Sequence, residues 1–204
     1  MARFLVTGGA GFIGSNIVQY LLAQGESVRV LDNFATGKRE NIEPFLDRIE
    51  LVEGDMNEEE VCRRAVEGID YVLHQAAIPS VPRSIDEPIY TTDVNVMGTV
   101  RLLDAASRAR VRRFVYAASS SAYGDQPTES KSEGLLPMPL SPYAAAKLAG
   151  EYFCQAWTRS MGLETVGLRY FNVFGPRQDP ASQYSAVIPL FVTAVIEGRR
   201  PVIY

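Results

Sequence analysis

The chain has 204 residues, 47% of them hydrophobic and 22% charged, with 20 Lys and Arg against 24 Asp and Glu for a formal net charge of −4. Such a composition belongs to a globular chain that buries about 70% of its unfolded surface, which excludes disordered and fibrous classes. The slight acidic balance excludes an electrostatic nucleic-acid binder, and the length predicts one large domain or one domain with the beginning of another.

Residues 3–7 form a short β-branched and aromatic run preceded by one arginine, and glycines begin at once, so no secretory leader is read there. Beyond the glycines, Phe12, Ile13, Ile17, Val18, Leu21 and Leu22 recur at helical spacing as far as Gln24-Gly25. Further strands are predicted over 27–31, 49–53 and 71–73, with a helix around 58–66 before the last of them. A long helix is expected over about 93–110, apolar at Val96, Met97, Val100, Leu103 and Ala106, and a fifth strand over 113–117. Ser141-Pro142 supplies an N-cap and a first-turn proline for a helix running to about residue 159, and 164–169 reads as a sixth strand. Cys62 and Cys154 fall in helical segments without a Cys-x-x-Cys pairing and read as reduced, non-metal thiols of a cytoplasmic protein. After Tyr170 comes a polar loop over 172–185 and an apolar stretch over 186–196. That stretch is broken by Pro189 and Thr193 and is shorter than the roughly 20 residues of a bilayer span, so no membrane association is expected.

Strands alternating with helices predict an α/β fold, a doubly wound parallel sheet (Rossmann fold) whose ligands sit at the carboxyl ends of the strands. Residues 1–171 are expected to form this unit. Residues 172–204 then read as the start of a second, incomplete C-terminal lobe, ending in Pro201-Val202-Ile203-Tyr204 as a strand entering something further.

The first strand end carries Gly9-x-Gly11-x-x-Gly14, overlapped by Gly8-x-x-Gly11-x-x-Gly14. Between a strand and a helix, glycines let the backbone turn tightly, approach a pyrophosphate and donate N–H groups from the positive helix end. Asp32 ends the second strand close to the spacing, about 20 residues on, of a carboxylate that grips an adenosine ribose diol. Its charge would oppose a 2′-phosphate and so favours NAD over NADP, while Lys38 and Arg39 nearby keep that choice open. Asp55, after the third strand, has two readings: acceptor from the adenine amino group, or N-cap of the helix beginning near Glu58. His74, the only histidine, reads as a structural residue at a strand end, and no clustered set of His, Cys and carboxylates suggests a metal.

Tyr143 and Lys147 stand at i and i+4 and therefore share one helix face. An ammonium beside a phenol favours the phenolate, which at its ordinary pKa of about 10 is scarce at neutral pH, so Lys147 is expected to lower the Tyr143 pKa and hold a nicotinamide ribose. Alone, the pair is an ordinary feature of exposed helices. Ser119-Ser120-Ser121, following the fifth strand at the same sheet edge, adds a hydroxyl able to bond a substrate hydroxyl as it loses its proton.

With Val6 to Gly14, Asp32-Asn33, Gly54-Asp55, His74-Gln75-Ala76-Ala77, Asn95, Ser119 to Gly124, Tyr143-x-x-x-Lys147 and Leu168 to Gly175, the chain resembles the extended short-chain dehydrogenase/reductase family along nearly its whole length. The resemblance is specifically to NAD-dependent nucleotide-sugar 4-epimerases. The resemblance implies Ser119, Tyr143 and Lys147 as the catalytic set. It implies NAD contacts from Gly8, Gly11, Phe12, Ile13, Gly14, Asp32, Asn33, Asp55, Met56, Gln75, Ala76, Ala77, Asn95, Tyr143, Lys147 and Tyr170, with Asn95 also holding the local architecture. Asn172 would touch the nucleotide sugar, and Ser80, Ser119, Ser120, Ser121, Tyr143 and Ala186 would wall the hexose.

Related 4,6-dehydratases typically carry Asp-Glu just after the catalytic Ser or Thr, where this chain has Ser120-Ser121, so dehydration is disfavoured. The expected activity is redox-neutral 4-epimerisation of a UDP-hexose through a 4-keto sugar. Val81 to Ser84 and Gln178-Asp179-Pro180 resemble the branch that accepts UDP-N-acetylhexosamines. Alternatives are another epimerase or a decarboxylase of the family, or a non-catalytic NAD-binding fragment. The resemblance also implies a homodimer joined through the helices beginning near Asp93 and Ser141, with Tyr152, Phe153 and Trp157 enriching the second. It implies a following substrate lobe, without which these residues would bind NAD, turn over UDP-sugars poorly and expose an apolar patch over 187–196.

Overall fold

The computed structural model describes residues 1–128, 130–179 and 187–201. Six strands, β1 (Arg3–Thr7), β2 (Ser27–Asp32), β3 (Ile49–Glu53), β4 (Tyr71–His74), β5 (Arg113–Ser119) and β6 (Glu164–Tyr170), pair in the order β3-β2-β1-β4-β5-β6, every pairing parallel. Four of them run one or two residues further than the sequence predicts, to Asp32, His74, Ser119 and Tyr170. The residues singled out for chemistry are thus strand-end residues held in the hydrogen-bonded ladder.

Alternate residues of the buried strands feed two cores, as a parallel sheet covered on both faces requires. Val6, Val28 and Val30 pack with Val18, Leu21 and Leu22 of α1 (Phe12–Ala23). Leu5, Leu31, Val72, Phe114 and Tyr116 face the other way, onto α2 (Glu59–Val66), α5 (Thr99–Arg108) and α6 (Pro142–Met161). The chain order reverses beside β1, with β2 on one side and β4 on the other, and the ligand crevice of such a sheet opens at that point.

Two helical regions differ from expectation. The helix expected over 93–110 is a composite of α4 (Pro88–Thr92), a π-helical turn (Asp93–Gly98) and α5. The wide turn coincides with two side-chain demands: Asn95 is drawn to the backbone of Ile78, and Gly98 admits Met56, whose Cε would lie 2.8 Å from a Cβ there. The second difference is α3 (Val81–Asp86), which the prolines at 82 and 88 disguise as a turn. Ser80 caps it by accepting from the Arg83 N–H at 2.9 Å.

Of the aromatics expected to enrich the surface of α6, only Tyr152 is exposed. Phe153 and Trp157 meet edge-on and pack against the α2/α5 core, because they lie on the side of the helix that faces it. In α7 (Val187–Ile196), Val195 and Ile196 are 67% and 79% exposed while Ala194 is buried, so an apolar face stands open as expected. The terminal stretch over 202–204 lies outside the described residues. Cys62 and Cys154 are free and buried, and burial pushes both thiols up to about 12. No described helix is long and apolar enough to cross a membrane.

Candidate active site

A cleft follows the carboxyl ends of the strands and has two confluent parts, of about 240 Å³ and about 1140 Å³, whose shared lining includes Gly11, Phe12, Ile13, Gln75 and Ala77. The glycine turn floors the smaller part. Gly8 has φ +65°, and a Cβ there would lie 2.8 Å from the Ala76 backbone, while a Cβ on Gly14 would lie 2.1 Å from the Gly8 carbonyl oxygen. These positions accept only glycine, and they bring backbone close to whatever occupies the turn. Helix α1 starts there with no side-chain cap and no acid in its first turn, leaving its positive end to an anion.

Asp32 is 7% exposed and lines the same part of the cleft. Its two oxygens accept from the Ala10 and Phe34 N–H groups, each at 2.8 Å, and burial raises its pKa against the pull of those bonds. It therefore also pins the glycine turn to the end of β2. Gly37, not singled out in the sequence, sits against it, since a Cβ there would lie 3.0 Å from both carboxylate oxygens. The two cations that left the cofactor choice open are engaged elsewhere. Lys38 pairs with Asp179 at 3.1 Å, and Arg39 pairs with Glu53 at 2.5 Å while lying over the Phe34 ring. A buried carboxylate with its neighbouring cations committed to other acids suits a free ribose diol and opposes a 2′-phosphate.

Asp55 also lines the small part, but it is not the N-cap of α2, a position held by Glu58. One carboxylate oxygen accepts from the Asn57 N–H at 2.8 Å and the other from the Asn33 amide at 2.9 Å, joining two expected cofactor residues across the strand ends. Met56, Ala76 and Ala77 line the wall. Gln75 lines it too, and both polar atoms of its buried side-chain amide lack a partner among the described residues, as a group reserved for a ligand would. Asn95 departs from expectation. It lines neither part, is 1% exposed, and spends both ends of its amide on the Ile78 backbone, at 2.8 and 3.2 Å, so it shapes the wall from behind rather than meeting a cofactor.

The larger part holds the catalytic candidates. Ser119 ends β5 and accepts from the Ser121 N–H at 3.2 Å and the Ser121 hydroxyl at 2.8 Å. With both lone pairs engaged, its own hydrogen is left for a further acceptor in the part of the cleft that the Tyr143 phenol also lines. Burial raises the Tyr143 pKa, and the neighbouring Ser119 hydroxyl opposes that rise. Lys147 follows Tyr143 one turn along α6. It shares the helix face, yet its ammonium is buried and donates to the Ala117 carbonyl of β5 at 2.9 Å, 5.1 Å from the centre of the Tyr116 ring, and burial lowers it to about 8. Ser80, Ser120, Ser121, Tyr170 and Asn172 line this part as well, and Ala186 lies outside the described residues.

Several positioning residues escaped the sequence reading. Ser84 accepts from the Tyr143 N–H at 3.1 Å, fixing the first turn of α6, and only the Ser80 N-cap signature hinted at the helix that carries it. Arg177 donates to Ser15 and Gln19 at 2.9 Å each, strapping the loop after β6 onto α1. Among the described residues, no group of three or more His, Cys, Asp or Glu could hold a metal ion.

Residues 4–204 match the family described as "NAD dependent epimerase/dehydratase family". The UDP-N-acetylglucosamine 4-epimerase of Methanobrevibacter ruminantium, solved in complex with UDP-N-acetylmuramic acid, is 39% identical with TM-score 0.93 over 100% of this chain and 65% of its own. The UDP-glucose 4-epimerase of Thermus thermophilus, solved with NAD, is 42% identical with TM-score 0.87 over 97% and 63%. A dTDP-glucose 4,6-dehydratase of Streptomyces niveus is 39% identical over 99% of this chain and 62% of its own. The chain thus spans about two thirds or less of the length of these relatives. The glycine turn, the buried Asp32 carboxylate and the Gln75 amide, unpaired among the described residues, fit NAD, and the chain belongs to the NAD dependent epimerase/dehydratase family.

Proposed function

We propose that this chain carries the catalytic centre of a reversible 4-epimerase acting on a UDP-hexose, with UDP-glucose/galactose and UDP-N-acetylglucosamine/galactosamine as the substrate pairs. Residues 1–171 hold the cofactor and the stretch from 172 opens the sugar-binding lobe of a cytoplasmic homodimer. The observation that carries the reading is the meeting of Ser119, Tyr143 and Lys147 at one cavity of about 1140 Å³, where the two positions after Ser119 are hydroxyls. Dehydration would need an acid and a base beside the tyrosine, and Ser120-Ser121 supply neither.

When bound, NAD supplies the acceptor and donor of the hydride at C4 of the sugar. Gly8, Gly11 and the start of α1 would hold its pyrophosphate, Asp32 a ribose diol, and Gln75 a polar group near the middle of the cleft. Tyr143 takes the proton of the 4-hydroxyl through its phenol oxygen and later returns it, and the Ser119 hydrogen favours the phenolate that this requires. Lys147, with a pKa of about 8, is mainly protonated at neutral pH, and its ammonium hydrogens beyond the Ala117 bond would bind the nicotinamide ribose. The breadth of the larger cavity suits a sugar ring that must present both faces of C4.

The test is to incubate the protein with each UDP-hexose and chromatograph the products, reading product identity rather than rate. Appearance of the C4 epimer is expected, and its loss in Tyr143→Phe with NAD still bound. A 4-keto-6-deoxy sugar as product would overturn the epimerase assignment in favour of the dehydratase chemistry named for one relative. Epimerisation persisting within a few-fold in Tyr143→Phe would place the base elsewhere.

A further inference from the structure

The strand-end histidine has no part in the proton transfer above, yet it is the centre of a buried chain of hydrogen bonds whose two ends return to the same piece of cleft wall. At one end, the Ala76 N–H donates to the Thr7 hydroxyl oxygen at 3.2 Å, and Thr7 Oγ1 lies 2.6 Å from His74 Nδ1. At the other, His74 Nε2 lies 3.0 Å from Thr99 Oγ1, and that hydroxyl donates to the Asn95 carbonyl at 2.7 Å. Asn95 in turn clamps both backbone groups of Ile78.

The hydrogens in this chain can be assigned one by one. Thr99 has a single hydroxyl hydrogen and gives it to Asn95, so the bond between Thr99 and the imidazole must use a hydrogen on Nε2. A neutral ring then has a bare Nδ1, which accepts the hydrogen of Thr7, and the Thr7 oxygen is left to accept from Ala76. Every donor in the chain is used once. Thr7, His74 and Thr99 are all buried, and the burial of the ring together with the nearby Lys147 ammonium depresses the imidazole to about 3, keeping it neutral.

We infer that His74, locked as the Nε2–H tautomer, is a positioning residue that fixes the cofactor-facing segment from Gln75 to Ile78 and thereby aims the unpaired Gln75 amide into the cleft. This rests on reading the small part of the cleft as the NAD site. The two anchor points, Ala76 and Ile78, bracket the wall, and Thr7, the residue just before Gly8, ties the same network to the glycine turn. The imidazole spans β1 and the start of α5, with an acceptor at one end and a donor at the other, and no aliphatic or aromatic hydrocarbon of similar size does both.

His74 is the only histidine, so protein labelled with ¹⁵N-histidine yields one pair of ring nitrogen signals. The expected result is a protonated Nε2 and a bare Nδ1, unmoved between pH 5 and pH 8 and both displaced when NAD is added to saturation. An Nδ1–H tautomer, or a titration within that range, would overturn the inference whatever the variants do. Thr7→Val keeps the shape of the side chain and removes the hydroxyl. It is expected to shift the Nδ1 signal and weaken NAD binding about tenfold, and Thr7→Ser to restore both. Wild-type NAD affinity in a folded Thr7→Val would refute the positioning role alone. Failure of the wild-type protein to bind NAD would instead refute the cradle assignment on which it rests.

Discussion

Gly150 lies on the same helix as Tyr143 and Lys147, and replacing it with alanine sets two calculable effects against each other. In an exposed helix the change would stabilise by about 1 kcal/mol, because alanine loses less backbone freedom on folding. Here, however, the new Cβ would lie 2.3 Å from the Tyr116 hydroxyl oxygen and 2.4 Å from the ring carbon that bears it. A carbon in ordinary van der Waals contact needs about 3.5 Å or more, so the ring must retreat by about 1 Å. It has little room: Tyr116 is 1% exposed, the His74 ring is 5.7 Å away between centres, and the Lys147 ammonium sits over it. Overpacking of this kind costs about 1–3 kcal/mol, more than the helix gains at all but the low end of that range. Gly150→Ala is therefore expected to lose up to about 2 kcal/mol. In a chain of this size that lowers the thermal midpoint by a few degrees, about 2–4 °C for each kcal/mol. Denaturant and thermal melts measure it, and the same substitution in a Tyr116→Phe background, without the oxygen at 2.3 Å, should cost less. Equal or greater stability of Gly150→Ala than wild type would refute the reasoning, showing that the ring moves freely and does not brace Lys147.

Asp32→Ala is expected to weaken NAD binding by roughly tenfold or more, and by more than Asp55→Ala, because it removes a charged acceptor together with the two 2.8 Å bonds that hold the glycine turn. Equal affinities by calorimetry would count against the cradle. Arg169 and Glu151 form a two-pronged ion pair at 2.8 Å with side chains only 16% and 11% exposed, so Arg169→Met, which strands the carboxylate, should destabilise by about 3–5 kcal/mol. The double change Arg169→Met/Glu151→Met should recover most of that loss in urea melts, and a double variant as unstable as the single would disprove the pairing. Stability should also depend on pH through His74, whose imidazole is lowered in the fold to about 3. Between that value and the ordinary 6.5 the unfolded chain binds the extra proton, so stability rises with pH through this window by up to about 1.4 kcal/mol per unit and is flat in this respect above it. His74→Asn should flatten that slope, and an unchanged slope would show that other groups produce it.

The parts of the fold written in periodic or local signals were legible in the sequence. The six strands, the uncapped glycine turn and the Ser141-Pro142 helix start all depend on neighbours in the chain. What escaped depends on partners far along it. The π turn at 93–98 is explained by Asn95 reaching Ile78, and the Lys147 ammonium is held by a β5 carbonyl 30 residues back. The i, i+4 rule places two side chains on one face of a helix but says nothing of what the sheet offers each of them. Asp55 shows the same limit: its N-cap reading was locally sound, yet Asn33, 22 residues earlier, and Asn57 share its carboxylate. Ser121, which the family resemblance places at the hexose wall, lines the larger part of the cleft, and its hydroxyl donates to Ser119.

These long-range contacts would hold the tyrosine proposed as the proton-transfer group to the tolerance such a step demands, where a displacement of about 1 Å can cost a hundredfold in rate. Helix α6 is fixed at three points along its catalytic side. Ser84 receives the Tyr143 N–H at the first turn, Tyr116 fills the hollow at Gly150, and Arg169 of β6 grips Glu151. Tyr143, Lys147 and Glu151 follow one another at single turns, so the ion pair at the third restrains the rotation of the helix that carries the first two. The cradle is held by a separate set: Asp32 on the turn, and Thr7, His74 and Asn95 on the wall. The sets approach each other at Tyr116, whose ring neighbours both His74 and Lys147. A change at Glu151 or Arg169 should therefore act on turnover first, and on NAD affinity only through Lys147. A change at Thr7 or His74 acts on affinity first, and Tyr116 is the position where the two effects cannot be separated.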